Sequence, residues 1–222
     1  MVRKKLCGLG TILLLALAYA LDTEGLFPYF AAAALWHELG HVAAVYVCGS
    51  RIRAFTFAPF GFCLHFDAML SYPCDAAIAA GGVAANLLAA FLLSVAAKYL
   101  PQLRNLTLAS GVNLLIGLFN LLPALPLDGG RTLYAILAQI TDEHRAFAVT
   151  RTLSLLTGAA ITVLGVYILL KTRYNISILA VGSLILGGTY AQRAGKDFTA
   201  RAKTRAVCGR RVRTGNQGQN SG

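Results

Sequence analysis

The chain has 222 residues, of which 57% are apolar and only 13% are charged, and its 20 Lys and Arg outnumber its 9 Asp and Glu to give a net charge of +11. Soluble domains carry about 25% charged and about 45–50% apolar residues, whereas the mean hydropathy here is +0.63. An ordinary soluble enzyme and a disordered chain are therefore excluded, and the composition indicates an integral membrane protein. The five scattered cysteines include no CxxC pair, so they argue against a disulfide framework or a thiolate metal cage and are interpreted as small apolar fillers.

The predicted elements are six apolar runs that can each cross about 30 Å of hydrocarbon. In chain order they are approximately 7–23, 28–48, 76–98, 106–125, 153–170 and 175–191. With the N-terminus inside, sixteen Lys and Arg fall on the inner side and four on the outer side, which is the bias of the positive-inside rule. Both termini are therefore predicted to be cytoplasmic. The first run also resembles a signal peptide ending near Ala18-Tyr19-Ala20, and its removal would leave the remaining topology unchanged.

Two further segments have distinct patterns. Between the second and third runs, residues 55–66 alternate bulky and small side chains around Pro59-Phe60-Gly61, which predicts a β-hairpin. Its aromatic content favours a position at the membrane interface. Residues 1–192 are expected to form the membrane core, whereas 193–222 are basic and then rich in Gly, Asn and Gln, which predicts a disordered cytoplasmic tail near the anionic leaflet.

The second run contains the motif His37-Glu38-Leu39-Gly40-His41. Residues four apart share one face of a helix, so His37 and His41 can bind one metal ion while Glu38 lies beside it. Neutral imidazoles suit zinc, and a nearby carboxylate can take a proton from zinc-bound water. Because ionisable groups inside a membrane span are costly, their presence here indicates a functional site.

A catalytic zinc ion usually has three protein ligands, so a third is needed. The candidates are the remaining histidines and carboxylates near the predicted runs: His65, Asp67, Asp75, Asp128, Asp142, Glu143 and His144. The last three are expected in a solvated polar loop. Asp128 stands out because prolines and glycines in 120–131 end the fourth run at the inner membrane edge, where irregular backbone is tolerated if it lines a cavity.

Taken together, these motifs resemble those of the site-2 protease family of intramembrane zinc metalloproteases. The family's His-Glu-x-x-His motif is matched at 37–41, and its Asn-x-x-Pro-x-x-x-x-Asp-Gly motif is matched by Asn120, Pro123, Asp128 and Gly129. Its Gly-x-x-x-Asn motif is matched at 82–86, although Val83 stands where many members have proline. The likeness covers about residues 1–192.

The resemblance implies an all-α polytopic membrane fold with about six transmembrane helices and a membrane-associated β-hairpin after the second helix. It implies a zinc-dependent intramembrane endopeptidase that cleaves a transmembrane or membrane-associated segment of a substrate protein, as in regulated intramembrane proteolysis. His37, His41 and Asp128 would hold one zinc ion per chain. Glu38 would act as general base towards the zinc-bound water, which is the nucleophile, and then as acid towards the leaving amine.

The amides of Asn86 and Asn120 would stabilise the oxyanion or hold unwound substrate, although interhelical hydrogen bonding explains them equally well. The chain leaves no room for a PDZ domain and no CBS domain is expected, as in the minimal core of the branch that contains the sporulation sigma-factor-processing protease. The expected partners are a transmembrane substrate, the lipid bilayer of a bacterial plasma membrane and a separate regulatory membrane protein. The basic tail lacks interleaved aromatic residues, so no nucleic-acid partner is expected.

Two other functions remain open. One is a non-enzymatic polytopic membrane protein with a degenerate metal site, against which the intact Glu38 argues because zinc binding alone does not need it. The other is a membrane zinc hydrolase of another class, for example one acting on a prenylated peptide end. Only the resemblance of the Asn-Pro-Asp-Gly segment favours the site-2 interpretation over the second.

Overall fold

A computed structural model describes most of the predicted core. The described residues are 22, 24–49, 52–58, 61–66, 71–100, 102–103, 105–172 and 177–191, with the backbone alone described for 52–58 and 61–66. The first predicted run up to residue 21, the hairpin turn at 59–60, Asp67 and the tail 193–222 lie outside the described residues.

The described chain is helical apart from one pair of strands. The elements are α1 (Phe27–Val47), β1 (Ile52–Ala58), β2 (Gly61–Phe66), α2 (Tyr72–Tyr99), α3 (Asn105–Asn120), α4 (Asp128–Ile140), α5 (Glu143–Thr172) and α6 (Ser177–Ala191). The chain forms two compact units, Met1–Thr157 and Gly158–Gly222. The first unit contains both strands, α1 to α4 and the start of α5, and the second contains the end of α5 together with α6.

Helix α1 has defined start and stop signals. The Asp22 carboxylate accepts hydrogen bonds from the amides of Leu26 (3.0 Å) and Phe27 (2.7 Å), which satisfies donors that the beginning of a helix leaves unpaired. A proline in the first turn suits the helical φ angle without losing a hydrogen bond. The helix ends before Gly49, whose φ of 69° lies in the left-handed region that glycine adopts readily.

The two strands form an antiparallel hairpin directly after α1. Phe57 lies opposite Phe62, and Ile52 lies opposite Phe66, with a register irregularity between Ile52 and Ala54. The strands overlap the alternating segment 55–66 that predicts a hairpin, and β1 begins three residues before it. Their association with the membrane interface stays a prediction.

Two described helices, α2 and α5, are long and apolar enough to cross a membrane. Helices α3 and α6 are apolar but have only 16 and 15 residues, about 24 and 23 Å at 1.5 Å per residue, which is less than the roughly 30 Å of a hydrocarbon core. Helix α1 has 21 residues, but its His-Glu-His motif lowers its mean hydropathy. The count of six spans therefore stays a prediction.

The distribution of side chains fits an apolar surrounding medium. Large apolar side chains are exposed on several helices, including Leu35, Leu39, Phe91, Leu92 and Leu115. The buried positions, by contrast, are rich in small and polar residues, including Ala33, Ala79, Asn86, Thr150 and Ser154. Small and hydrogen-bonding residues are typical of contacts between helices in lipid, because lipid already satisfies the large apolar side chains.

The structure corrects the prediction for residues 128–152. Asp128 does not lie in irregular backbone but is the first residue of α4, and Glu143 and His144 begin α5 rather than lying in a polar loop. Helix α4 was missed because it has only 13 residues and begins with a polar turn, so no run of about 20 apolar residues marks it. His144 is nevertheless exposed, as the sequence predicts.

Candidate metal centre

The two histidines of α1 face the interior of the first unit. His37 and His41 lie one helical turn apart, and both are buried, with 6% and 7% of their surface exposed. Their Nε2 atoms are 3.1 Å apart, and the two rings meet edge to face. The four-residue spacing therefore brings two imidazole nitrogens to one point, as it predicts.

Asp128 reaches the same point from the beginning of α4. Its Oδ2 lies 2.8 Å from His37 Nε2 and 3.0 Å from His41 Nε2. The turn before α4 is held in place because the Leu125 amide donates a 2.8 Å hydrogen bond to the Ser154 hydroxyl of α5. The turn also packs tightly on α4, since a Cβ at Gly129 would collide with the Leu121 carbonyl. This close contact fixes where Asp128 enters the site.

The donor set fits a metal cation. His41 Nδ1 lies 2.7 Å from the Ile78 carbonyl oxygen. Because a carbonyl can only accept, Nδ1 donates its hydrogen, and the neutral ring then has its lone pair on Nε2. That lone pair faces the Asp128 carboxylate, which is also an acceptor, and two acceptors about 3.0 Å apart are stabilised by a cation between them, either a proton or a metal ion. Tetrahedral ligands of zinc are roughly 3.3 Å apart, close to the observed separations. The Ile78 carbonyl is the backbone partner that metal-binding histidines usually have.

Helix α2 contributes open space rather than a ligand. A Cβ at Gly82 would lie 2.5 Å from His41 Nε2 and 2.7 Å from His37 Nε2, which is closer than any side chain tolerates. The absence of a side chain at Gly82 leaves free the volume next to both nitrogens. An ion held by the two imidazoles needs this volume.

Two charged side chains lie beside the three converging donors. Arg131 Nη1 is 3.5 Å from Asp128 Oδ1, so this carboxylate has one oxygen next to an arginine and the other next to the histidines. Glu38 is half-buried, and the side chains of the two histidines, Asp128 and Arg131 lie close enough to act on its carboxylate. The group of residues that could hold an ion consists of His37, His41 and Asp128 without Glu38. The Glu38 carboxylate is thus placed next to the site rather than in its donor set.

The other predicted site residues lie elsewhere. Asn86 is fully buried on α2, and neither of its amide atoms has a hydrogen-bond partner among the described residues. Asn120 donates from its side-chain amide to the Ile116 carbonyl of its own helix at 3.1 Å. Asp75 lies in the first turn of α2. For His65 only the backbone, in β2, is described.

Some features of the site could not be read from the motifs. The contact of Gly82 with both imidazoles gives a physical reason for the glycine of the Gly-x-x-x-Asn motif, which the sequence alone presents only as a pattern match. The carbonyl of Ile78 and the side chain of Arg131 carry no sequence signal for their contacts. They emerge because α2 and α4 pack around the His-Glu-x-x-His helix.

Comparisons with known proteins find similarity to a peptidase family and to a zinc metalloprotease. The model of a family described as Peptidase family M50 matches residues 97–165, a range that includes Asp128 but not the histidine motif. A protein of Synechocystis sp. whose name describes a zinc metalloprotease is 33% identical over 113 residues, which are 49% of this chain and 30% of that protein. The chain thus spans less than a third of the length of this relative.

A solved structure has the same fold. The site-2 protease from Methanocaldococcus jannaschii superimposes with a TM-score of 0.61 at 21% identity, covering 84% of this chain and 87% of that one. The family model, the metalloprotease relative and the shared fold agree with the two motifs found in the sequence. The chain is thus similar to peptidase family M50 over residues 97–165 and has the fold of a site-2 protease.

Proposed function

We propose that this chain is a zinc-dependent intramembrane endopeptidase that cleaves a transmembrane or membrane-associated segment of another protein. The observation that carries the proposal is the buried convergence of His37, His41 and Asp128, whose donor atoms lie within 4.8 Å of one another. Two buried histidines that face a buried carboxylate are expensive in an apolar interior unless a cation lies between their donor atoms. A metal ion removes this cost, and one zinc ion per chain fits the number and type of donors.

Each residue near the ion has a separate task. When bound, zinc supplies a Lewis acid that activates a water molecule and polarises the scissile carbonyl. His37, His41 and Asp128 would hold the ion, and Arg131 next to Asp128 Oδ1 restrains the carboxylate with its Oδ2 towards the two histidines. Glu38 is outside this donor set, and its carboxylate accepts the proton of the attacking water and then delivers it to the leaving amine.

The substrate has to unwind before it is cleaved, because the carbonyls of a transmembrane helix are already hydrogen-bonded. The hairpin offers a place for the unwound segment. Within the described sheet each of the two strands has one neighbour, so an extended segment can add to the free side of β1 or β2 by backbone hydrogen bonds. The hairpin follows α1 after a short connection, so the captured segment stays near the helix that carries the histidines.

The charge distribution supports a membrane location and an orientation for the chain. The inner excess of Lys and Arg supports a bacterial plasma-membrane protein with both termini in the cytoplasm. Residues 1–192 form the protease core and 193–222 a basic cytoplasmic tail that interacts with anionic lipid. Signalling by regulated intramembrane proteolysis, with a separate membrane protein controlling access of the substrate, fits a core of this size.

Metal analysis tests the proposal without knowledge of the substrate. The protein purified in mild detergent should hold about one zinc ion per chain, and His37→Ala and Asp128→Ala should each lose it. Asp142→Ala and His144→Ala are the matched controls, because both residues are exposed at the beginning of α5, and both variants should keep the metal. A wild-type protein that takes up no zinc, or an Asp128→Ala variant that keeps its zinc, would contradict the proposed centre.

The role of the hairpin is tested by removing backbone donors. Phe57 and Phe62 lie opposite each other in the two strands, and proline at either position removes an amide hydrogen and disfavours a strand. The measurement uses proteoliposomes that contain a single-span membrane protein cleaved by the wild type. Phe57→Pro or Phe62→Pro should lower the rate of this cleavage roughly tenfold or more while the zinc content is unchanged. Phe57→Leu, which keeps the amide, should behave as wild type. Normal turnover in both proline variants would rule out strand addition.

A further inference from the structure

Helices α1 and α2 run antiparallel along a closely packed line of contacts. At its centre a Cβ at Gly40 would lie 2.5 Å from the Gly81 carbonyl oxygen, so the two backbones touch directly. Next to this crossing, His41 binds the Ile78 carbonyl. The contact line continues away from the metal centre through Val45 and Ile78, which are both buried.

This contact line ends at two cysteines that the metal centre does not use. Cys48 directly follows α1 and Cys74 lies in the first turn of α2, and both pack against the cluster formed by Val45 and Ile78. Cys48 Sγ is 3.9 Å from the Cys74 carbonyl oxygen, so the two residues are in direct contact. Both cysteines are free thiols and half-buried. Because the two cysteines are 26 positions apart in the sequence, the sequence alone does not indicate this contact.

We propose that Cys48 and Cys74 form a dithiol modification site that a peroxide oxidises to an intrachain disulfide. One thiol loses its proton and, as a thiolate, attacks the O–O bond of hydrogen peroxide to become a sulfenic acid, and the hydroxide that leaves takes up this proton as the first water. The second thiol loses its proton and attacks the sulfenic sulfur, the S–S bond forms as the S–O bond breaks, and the hydroxide that leaves takes up the second proton as the second water. Two thiols are oxidised by two electrons and one peroxide is reduced to two waters, so the reaction balances.

The disulfide would act on the part of the chain that lies between the two helices. Both strands of the hairpin lie between Cys48 and Cys74, so the bond closes this segment into a loop and reduces its freedom. It would also hold α1 to α2 along the contact line that contains His41. The charge distribution predicts that this end of α1 faces the cytoplasm, where thiols stay reduced until an oxidant appears. The site is independent of the proposed metal and of peptidase activity.

The experiment uses the full chain purified in detergent under reducing conditions and then treated with hydrogen peroxide. We expect peptide mapping by mass spectrometry to find a Cys48–Cys74 crosslink, and alkylation of both thiols to slow by on the order of tenfold or more. A thiol reductant should restore both thiols. The melting temperature of the oxidised wild type should rise, because the crosslink restricts the unfolded chain.

Three variants distinguish a specific Cys48–Cys74 disulfide from non-specific oxidation of cysteines. Cys63→Ser should leave the crosslink intact, whereas Cys48→Ser and Cys74→Ser should each abolish it and remove the rise in melting temperature. The mapping on the wild type does not depend on how well these variants fold. If peroxide leaves both thiols open to alkylation, oxidises them singly to sulfinic acids, or joins either of them mainly to another cysteine, the proposal is overturned.

Discussion

Replacing Glu38 by Gln is expected to abolish most of the peptidase activity while leaving the metal in place. Glutamine has nearly the same shape as glutamate but accepts no proton, and loss of a positioned general base costs about 10²- to 10⁴-fold in rate. The three donors His37, His41 and Asp128 do not include Glu38, so the zinc content should stay near one ion per chain. Both quantities are measured on the same preparation, by metal analysis and by cleavage of a single-span substrate in proteoliposomes.

The matched control is Glu24→Gln, which makes the same change at an exposed position just before α1. This variant should keep both zinc and activity. A Glu38→Gln variant that cleaves at the wild-type rate would assign the proton transfers to another group. A variant that loses its zinc would instead show that Glu38 is needed to hold the metal. Its loss of activity would then say nothing about proton transfer. Because the expected variant still holds zinc, it can also be used to retain substrates for identification.

The sequence was most informative where a pattern is local. The four-residue spacing of His37 and His41 is enough to place their side chains on one face of a helix, and their Nε2 atoms are indeed 3.1 Å apart. The alternating residues after α1 were enough to locate the two strands. In both cases the pattern lies within one element, so no knowledge of packing between elements is needed.

Features that depend on packing between elements were not predictable in the same way. The residues alone left seven candidates for the third ligand, the break in the fourth run favoured Asp128, and the resemblance to a family selected it. Its position depends on the turn before α4, which is held by the hydrogen bond from Leu125 to Ser154 across 29 positions of the sequence. The contact of Cys48 with Cys74 also joins two helix ends, and the sequence presents these residues only as scattered cysteines.

The candidate metal centre is assembled by close contacts that glycine makes possible. Gly40 and Gly81 let α1 approach α2, and Gly129 lets α4 pack on the preceding turn. Since lipid offers no hydrophobic driving force for bringing helices together, such close backbone contacts are a main source of association in a membrane. The consequence is that the position of the three donors depends on residues that have no functional group of their own.

The sharpest test of this dependence is Gly82→Ala. The added methyl group would lie 2.5 Å from His41 Nε2 and 2.7 Å from His37 Nε2, in the volume that a bound ion requires. We expect the affinity for zinc to fall on the order of 10²-fold or more, at the upper end of what changes around a metal site usually cost. Alanine stabilises a helix relative to glycine by about 1 kcal/mol, so the change in helix propensity should not unfold α2. The affinity is measured by competition with a zinc chelator.

Gly111→Ala provides the matched control, because it makes the same substitution in α3, where nothing lies within 4 Å of the added methyl group. It should keep the zinc affinity of the wild type. Gly81→Ala separates packing from metal binding, since its methyl group would meet Ala44 and the Gly40 backbone rather than a histidine nitrogen. It should lower the melting temperature of the metal-free protein, whereas Gly82→Ala should mainly lower the affinity for zinc. If Gly82→Ala binds zinc as tightly as the wild type, the ion does not lie between α1 and α2, and the arrangement of ligands proposed for this chain is wrong.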